Sequence, residues 1–419
     1  MSRAWCPSGG TVQGLVGLVV ILGLAWLFSE RRREVRVLEV AVGSALLFAV
    51  GFVLLKVPLI SDSILLLNAL VVALDRATMA GTELVFGYLG SDTHPFYPER
   101  SMPVIFAFRV LPQILVFSVV VAILWYWRVL PLVIRGFAWA LRRALRVGGA
   151  VGVAAASSVF LGMVEAPLAI RAYLNHLSRS EFFVVMTCGM STVAGSIMVV
   201  YATILGPVLD GALGHIFVAS IMSVVGAVVI ARIMIPETRE ATAGDMADSL
   251  KYDNMMDAIS RGTMDGLRLV AYVASTVIVL VALVALVNHV LGQFEVLGEP
   301  LTAQRILGWV LAPLAWSMGI PWQDAPEAGA LLGTKVILNE LFAYFDFAAI
   351  AGTLAPESRL ILTYALCGFA NFGSVGILIG GIGALVPDRR GEMLALAPRS
   401  IVSGTLVACL TGVVVGLIG

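Results

Sequence analysis

The sequence GMVEAP, residues 162–167, places Glu165 inside an otherwise apolar stretch. A second glutamate, Glu340, lies in another apolar stretch and begins the sequence ELF after Asn339. A glycine-containing segment follows each glutamate: CGMSTVAGS at 188–196 and CGFANFGS at 367–374. An ionisable residue at membrane depth is costly and is therefore a functional candidate. Because the arrangement occurs twice, it predicts a secondary transporter with internal repeats and broken helices around a midplane site.

The composition predicts the class of protein. The chain has 419 residues, of which 59% are hydrophobic and 13% are charged. Soluble domains carry about 25% charged residues, so the sequence predicts an all-α polytopic membrane protein that lies in a lipid bilayer. The formal net charge of +0 argues against a nucleic-acid partner. The cysteines lie far apart and the histidines lack metal-ligand spacing, so neither a disulfide framework nor a metal site is expected.

Eight stretches are apolar and long enough to cross a membrane, which takes about 20 residues. In chain order they are 11–28, 37–58, 103–127, 181–206, 209–235, 264–292, 357–384 and 394–418. The first has no basic segment before it and no small-residue cleavage site after it. We therefore interpret it as a membrane span and not as a signal peptide.

Residues 128–147 predict a helix that lies along the membrane surface. Arginines occur there among Trp, Leu and Ile, and Arg135, Arg142 and Arg146 fall near one helical face. Further basic residues follow the first span, occur in the 236–254 loop, and flank the loop after the seventh span. All of these lie on one side of the membrane if the N-terminus is outside. With eight spans the C-terminus is then outside too, and 236–254 links two halves.

Two regions, 148–178 and about 303–350, are apolar but are interrupted by Gly, Pro and Glu. Such interruptions predict re-entrant hairpins, which are tolerated at depth where protein or a water-filled cavity surrounds them. Pro167 disfavours helix at the residue before it, so a helix is expected to stop near 162 and to restart near 167. Gly368, Gly373 and Gly376 predict a similar interruption in the second half.

Several segments resemble those of concentrative nucleoside transporters. They are FAFRVLP at 106–112, GMVEAP at 162–167, NEL at 339–341, CGFANFGS at 367–374 and LVPDRRG at 385–391. The similarity runs in order from about residue 100 to the C-terminus. It implies a homotrimer with eight transmembrane helices, two re-entrant hairpins and one interfacial helix per protomer, arranged as an inverted internal repeat. It also implies nucleoside import across the inner membrane, driven by an ion gradient.

The resemblance implies a substrate site between the first hairpin with span four and the second hairpin with span seven. Carried over from the family, the base side is formed by Gly162, Met163, Val164, Glu165 and Ile197, and the ribose side by Glu340, Asn371 and Ser374, with Phe369 nearby. The family has Gln and Thr or Ser where this chain has Met163 and Val164, which make no strong hydrogen bond. This departure favours a larger, stacked base, and thus purine nucleosides, or else a nucleoside with an altered base.

A second departure concerns the coupling ion. Sodium-coupled members have an Asn four residues before the motif glycine and a Ser in span four, which align here with Ser158 and Thr192. The backbone carbonyls of Leu161 and Val193 complete the candidate ion ligands. Ser at the first position resembles proton-coupled members, so we predict proton coupling, with sodium symport as the alternative. Glu165 or Glu340 would accept the proton, because burial favours the neutral carboxyl, and no other cofactor is expected.

The predicted organisation has two bodies. The scaffold comprises 1–127 with spans one to three and 264–292 as span six. The transport domain comprises 148–235 with the first hairpin and spans four and five, and 303–384 with the second hairpin and span seven. The interfacial helix at 128–147 and span eight at 394–418 complete the chain.

Rival functions make different demands on the sequence. A channel would need a dense polar run to line a pore. A membrane-embedded enzyme would need a catalytic set, and we find no Ser/His/Asp set, no His-Glu-x-x-His and no phosphate loop. The repeated carboxylates favour a carrier over both, and a carrier of another small solute with the same hairpins stays open.

Overall fold

A computed structural model describes residues 9–57, 73–91, 105–240, 242, 244, 251–296 and 298–419. Residue 58 of the predicted second span and residues 103–104 of the predicted third span lie outside the described residues, as does part of the 236–254 loop. The side chain of Arg109, in the family-like segment at 106–112, is also outside them.

The first half of the chain is helical. Its helices are α1 (Gly9–Leu27), α2 (Val37–Lys56), α3 (73–86), α4 (Leu111–Tyr126), α5 (Val129–Leu145), α6 (Gly149–Ser157), α7 (Glu165–Leu168), α8 (Arg179–Ser191), α9 (Gly195–Leu205) and α10 (Ala212–Met234). A π-helical turn, Phe106–Val110, leads into α4.

The second half of the chain is also mostly helical. Its elements are α11 (Met255–Leu291), the short strands β1 (Glu295–Val296) and β2 (Glu299–Pro300), α12 (Ala303–Ser317), α13 (Ala325–Ile337), α14 (Glu340–Ile350), α15 (Pro356–Ala365), α16 (Phe372–Leu385) and α17 (Arg390–Ile418). The two strands form an antiparallel pair in which Glu295 opposes Pro300.

A helix occupies each of the eight predicted span positions. Six helical stretches among the described residues are long and apolar enough to cross a membrane, and α1 and α16 contribute shorter apolar helices. The fold is therefore that of a polytopic, mostly helical membrane protein. α11, which contains most of the predicted sixth span, begins earlier than that span, at Met255. Asn254 caps this helix by accepting a hydrogen bond from the Asp257 N–H, so the polar turns before residue 264 are helical too.

The predicted surface helix corresponds to α5. Leu130, Ile134, Ala138 and Leu141 are buried along one face at helical spacing, whereas Arg135 is exposed on the other. Burial along one face only is the pattern of an amphipathic helix.

Two interruptions in the first half set the shape of the candidate site: one lies between α6 and α7, and the other lies between α8, which ends at Ser191, and α9, which begins at Gly195. The first hairpin helix, α6, ends at Ser157 and α7 begins at Glu165. The predicted stop near 162 was wrong, because α6 ends five residues earlier, whereas the restart lies two residues before the predicted 167. Pro167 is the third residue of α7, within the first turn, where its missing N–H has no intrahelical partner to lose.

The second half contains two corresponding interruptions. Between α13 and α14, the Asn339 side chain caps α14 by accepting a hydrogen bond from the Phe342 N–H at 3.1 Å. Between α15 and α16, Gly368 has a φ of +115°, and a Cβ there would lie 2.5 Å from the Ser191 carbonyl oxygen. Gly368 is therefore required at the break. The same prediction for Gly373 and Gly376 was wrong, because both lie inside the regular helix α16.

The helices fall into packed groups. α1 packs against α17, and α2 packs against α10. α4 packs along α11, and α12 packs along α13. α8, α9, α10 and α17 are largely buried, whereas α11 exposes many apolar side chains. The buried helices therefore form the centre of the fold, and the break between α8 and α9 lies within it.

Candidate functional site

A cavity of about 220 Å³ lies where the two hairpins meet. Its walls come from the first hairpin, α9, the start of α14 and the break before α16, and from α4 and α11 on the opposite side. All nine predicted substrate-contact residues line it: Gly162, Met163, Val164, Glu165, Ile197, Glu340, Phe369, Asn371 and Ser374. The fold therefore brings together two sets of residues that lie far apart in the sequence.

Glu340 is held by two donors from different elements. It is the first residue of α14 and is 5% exposed. One carboxylate oxygen, Oε1, accepts a hydrogen bond from the Tyr201 hydroxyl at 2.5 Å, and Oε2 accepts one from Asn371 Nδ2 at 2.9 Å. Hydrogen bonds to a charged acceptor are short and strong, so the position of this carboxylate is well defined.

Asn371 joins the break in span seven to the second hairpin. Its Oδ1 accepts a hydrogen bond from the Ser374 N–H at 2.7 Å, which caps α16, while its Nδ2 reaches Glu340. The N-termini of α14 and α16 therefore lie at the same side of the cavity. Helix N-termini favour negative charge, which suits the Glu340 carboxylate and any polar oxygen that approaches it.

Glu165 has a different environment. It is the first residue of α7 and its side chain is exposed to the cavity. Its Oε2 lies close above Gly162, where a Cβ would be only 2.3 Å away. Gly162 therefore lets the carboxylate fold back over the hairpin tip, and Glu165 presents it to the cavity without the side-chain donors that hold Glu340.

The hairpin tip is clamped between two helices. Met163 is buried and packs on Gly189 of α8, where an added Cβ would lie 3.1 Å from the Met163 Cβ. Val164 packs on Gly381 of α16, where an added Cβ would lie 2.3 Å from Val164 Cγ2. Both apolar side chains also line the cavity. Among the described residues, Glu165 is thus the tip's one polar side chain at the cavity.

The predicted ion-ligand residues lie at two neighbouring breaks in the first half. Ser158 and Leu161 lie between α6 and α7, and Thr192 and Val193 lie between α8 and α9. The Gly195 N–H donates to the Phe160 carbonyl at 3.1 Å and so joins the two breaks. Leu161 lines the cavity, while Ser158, Thr192 and Val193 are buried. The Ser158 hydroxyl donates to the Ala155 carbonyl at 2.8 Å, and the Thr192 hydroxyl donates to the Cys188 carbonyl at 2.8 Å. Each hydroxyl proton is therefore used within its own helix, which leaves lone pairs of the two oxygens available for an ion.

Sequence reasoning missed several residues of the site. Tyr201, the donor to Glu340, lies one helical turn after Ile197, and that i, i+4 spacing on an apolar helix was the available signal. The wall formed by α4 and α11 was not predicted either. It includes Ser118, Trp125 and Asp265, together with Tyr272, whose hydroxyl donates to the Gly373 carbonyl at 3.2 Å.

Family models match most of the chain. The models of the Na⁺-dependent nucleoside transporter N-terminus and C-terminus match residues 16–89 and 215–416, and a model described as nucleoside recognition matches 107–208. The chain belongs to the concentrative nucleoside transporter family. The resemblance found in the motifs is therefore confirmed over nearly the whole length.

Relatives of this nucleoside transporter family cover the chain end to end. An uncharacterized transporter of Bacillus subtilis, YutK, is 34% identical over 96% of this chain and 98% of its own length. The nucleoside permease NupC of Helicobacter pylori is 32% identical over 96% of both chains. Sodium/nucleoside cotransporter 1 of Rattus norvegicus is 31% identical over 96% of this chain and 63% of its own length. These relatives are transporters, and the chain is accordingly not an enzyme.

Solved structures of the family have the same fold. CNTnw in an inward-facing substrate-bound state superposes with a TM-score of 0.88 at 32% identity, covering 97% of this chain and 98% of that one. A variant of CNTnw in an outward-facing state gives a TM-score of 0.89 at 32% identity and 98% coverage of both chains.

Proposed function

We propose that this protein imports nucleosides across the inner membrane by alternating access, driven by an ion gradient, with protons as the coupling ion. One observation carries the proposal: the residues predicted to bind base and ribose all line one cavity, and Glu340, Asn371 and Tyr201 form a hydrogen-bonded set within it. An apolar cavity with a few convergent polar groups is the usual form of a small-molecule site.

The ribose would bind at Glu340, Asn371 and Ser374. A carboxylate that accepts from Tyr201 and Asn371 keeps lone pairs for sugar hydroxyls. The relatives with nucleoside permease or cotransporter activity in their names support this choice of substrate. A small solute of another class that carries adjacent hydroxyl groups remains the alternative substrate.

The base would lie against the first hairpin tip, with Ile197 opposite. Met163 and Val164 offer apolar surface only, and Glu165 offers hydrogen-bond acceptors to the cavity. A large aromatic base gains more from apolar contact than a small one. We therefore propose purine nucleosides as the preferred substrates.

The coupling ion would act at the first hairpin and at the break between α8 and α9. Ser158 replaces a longer amide side chain, and both it and Thr192 direct their hydroxyl protons to helix carbonyls. With few strong oxygen ligands for sodium at this position, a proton on Glu165 or Glu340 is the simpler coupling agent. A sodium ion held by Ser158, Leu161, Thr192 and Val193 is the alternative, and the family description as Na⁺ dependent favours it.

Alternating access would move the hairpin-bearing body against a scaffold. The mutual packing of α4 and α11, which together form one cavity wall, supports their place in the scaffold. α1 and α2 pack on α17 and α10, so movement would slide these contacts or carry the first two spans along. The proposed setting is a homotrimer of eight-span protomers with two re-entrant hairpins and both termini outside.

The experiment measures nucleoside uptake by Glu340→Gln in proteoliposomes. Labelled adenosine, guanosine or uridine is supplied in the external solution. The substitution removes a charge that Tyr201 and Asn371 hold in place, so accumulation of every nucleoside should be abolished while the protein still folds. Normal accumulation by the variant would refute the assignment of Glu340. For the unchanged protein, faster uptake of uridine than of both purine nucleosides would refute the purine proposal.

A further inference from the structure

Lys335 is a buried lysine to which the proposed mechanism gives no role. It lies in the last turn of α13, five residues before Glu340, and its exposed fraction is 0%. Its Nζ donates to the carbonyl oxygen of Ala365 at 3.0 Å and to that of Cys367 at 3.4 Å. Within the described residues, both acceptors of the ammonium are therefore backbone carbonyls. A buried cation without such partners would be strongly destabilising.

The two carbonyls belong to the break in span seven. Ala365 ends α15, and Cys367 precedes Gly368, where the chain turns before α16. The last carbonyls of a helix have no intrahelical donor and carry the negative end of its dipole. The ammonium thus satisfies both the hydrogen-bonding capacity and the partial charge of this broken end.

Among the described residues, no lysine or arginine side chain bonds to the corresponding break in span four. Cys188 occupies the place of Cys367 in the repeated motif, and its carbonyl accepts from the Thr192 hydroxyl at 2.8 Å. The hydroxyl of Ser157, next to the candidate ion ligand Ser158, is buried and has no hydrogen-bond partner among the described residues. Oxygen atoms with spare lone pairs therefore line one break, while an ammonium fills the other.

We infer that Lys335 is a tethered cation, which permanently neutralises the carbonyl end of the span-seven break and so positions Asn371 and Glu340 for substrate. Lys335 acts through the broken segment and is a positioning residue. This inference rests on the proposed nucleoside site at Asn371 and Glu340.

The test removes the ammonium and offers a free one. Lys335→Ala leaves space at the carbonyls, Lys335→Met fills that space without charge, and Lys335→Arg keeps a charge. We expect Lys335→Ala to lower nucleoside uptake by roughly 10- to 100-fold, the worth of a hydrogen bond to a charged group. Methylammonium chloride should restore much of the uptake and thermal stability of Lys335→Ala, and choline chloride should not, because the choline head group is too large.

The other variants provide matched controls. Methylammonium should have no effect on Lys335→Met, and Lys335→Arg should retain more uptake than Lys335→Met. Wild-type uptake by Lys335→Met, equal losses in Lys335→Arg and Lys335→Met, or equal effects of methylammonium and choline on Lys335→Ala would each overturn the inference.

Thermal stability separates this inference from the proposed function. If the unchanged protein takes up no nucleoside, the proposed function fails. Stabilisation of Lys335→Ala by methylammonium in detergent, without substrate, would still support the tethered cation, and absence of that stabilisation would still overturn it.

Discussion

Glu340 is the residue on which the proposed site depends. Its carboxylate lies at a helix N-terminus and accepts from one donor on α9 and another at the break before α16. Neither donor carries a charge, and together they fix the position of the Glu340 carboxyl group. A nucleoside hydroxyl would meet a preorganised acceptor there, which reduces the entropy lost on binding.

Tyr201→Phe tests this preorganisation. The substitution removes only the hydroxyl that donates to Glu340 at 2.5 Å and leaves the ring in place. A hydrogen bond to a charged group contributes about 1.5–3 kcal/mol, so we expect the KM for nucleoside uptake to rise by roughly tenfold or more. Uptake kinetics in proteoliposomes measure the change.

Tyr344→Phe is the matched control. The two rings lie 4.8 Å apart, but the Tyr344 hydroxyl donates to the Thr363 carbonyl at 2.9 Å and not to Glu340. Its loss should lower stability and leave the KM nearly unchanged. Equal changes in KM for the two variants would contradict a specific role for Tyr201.

The sequence predicted the site at residue scale only where a motif carried it. Glu165, Glu340 and Asn371 stand in recognisable segments, and all of them line the cavity. Tyr201 and the residues of α4 and α11 lie in ordinary apolar helices, where hydropathy does not distinguish a cavity wall from the core. Their roles follow from tertiary contacts alone.

At the scale of elements, the first hairpin tip is fixed by close packing. Val164 packs on the bare backbone of Gly381, so the tip of one repeat rests on the broken helix of the other. This contact couples the base side of the cavity to span seven. A shift in either element should therefore change substrate binding.

Gly381→Ala tests the clamp, because its new Cβ would lie 2.3 Å from Val164 Cγ2 and must displace the tip. Overpacking typically costs about 1–3 kcal/mol, so we expect nucleoside affinity to fall by roughly 10- to 100-fold. Adding Val164→Ala makes room and should recover much of that loss. Binding titrations of the three proteins measure the coupling.

Gly380→Ala is the control from the same helix, since nothing lies within 4 Å of its added Cβ. It should leave affinity unchanged and, as a helical Gly→Ala change, leave stability equal or higher. A loss of affinity equal to that of Gly381→Ala would show that α16, and not the clamp, is the sensitive feature.

Hydropathy located the elements but not their ends. Every predicted span coincides with helix because long apolar runs dominate the pattern. The restart at Glu165 was missed because proline is allowed in a first turn, and the start of α11 was missed because Asn254 caps a polar segment. Capping and turn geometry decide these boundaries, and both depend on local backbone contacts.

At the scale of the whole molecule, ion pairs between charged residues join segments that are far apart in the sequence. Glu30, after α1, bonds to Arg179 at the start of α8 through contacts of 2.8 and 3.1 Å, and it also bonds to Arg399 of α17. Arg179 in turn lies 3.5 Å from Glu392. The loop after α1 and the segment around Arg399 are among those whose basic residues the sequence analysis assigned to one side of the membrane.

The hydrogen bond from Arg179 holds the pKa of Glu30 below its ordinary value of 4.5. A carboxyl group whose pKa is lowered by folding stabilises the folded state at pH values above its unfolded-state pKa. This contribution is lost as the pH falls through the folded-state pKa. We expect Glu30→Gln to lower stability near pH 7 by up to about 1 kcal/mol, since the pair is partly solvated. The difference should shrink in acid.

Thermal unfolding of detergent-solubilised protein at neutral and acidic pH measures this difference. Glu34→Gln is the control from the same loop, because Glu34 forms only an exposed pair with Arg31 at 3.3 Å. It should change stability by less than Glu30→Gln. A Glu30→Gln effect that is the same at both pH values would contradict an electrostatic origin.

Uptake of labelled adenosine into proteoliposomes, under an inward proton gradient or separately an inward sodium gradient, tests the central claim most directly. We expect accumulation above the external concentration with the proton gradient and none with sodium alone. Accumulation with sodium alone would contradict proton coupling and assign the ion to Ser158, Leu161, Thr192 and Val193. No uptake of adenosine, guanosine or uridine under either gradient would contradict nucleoside transport itself.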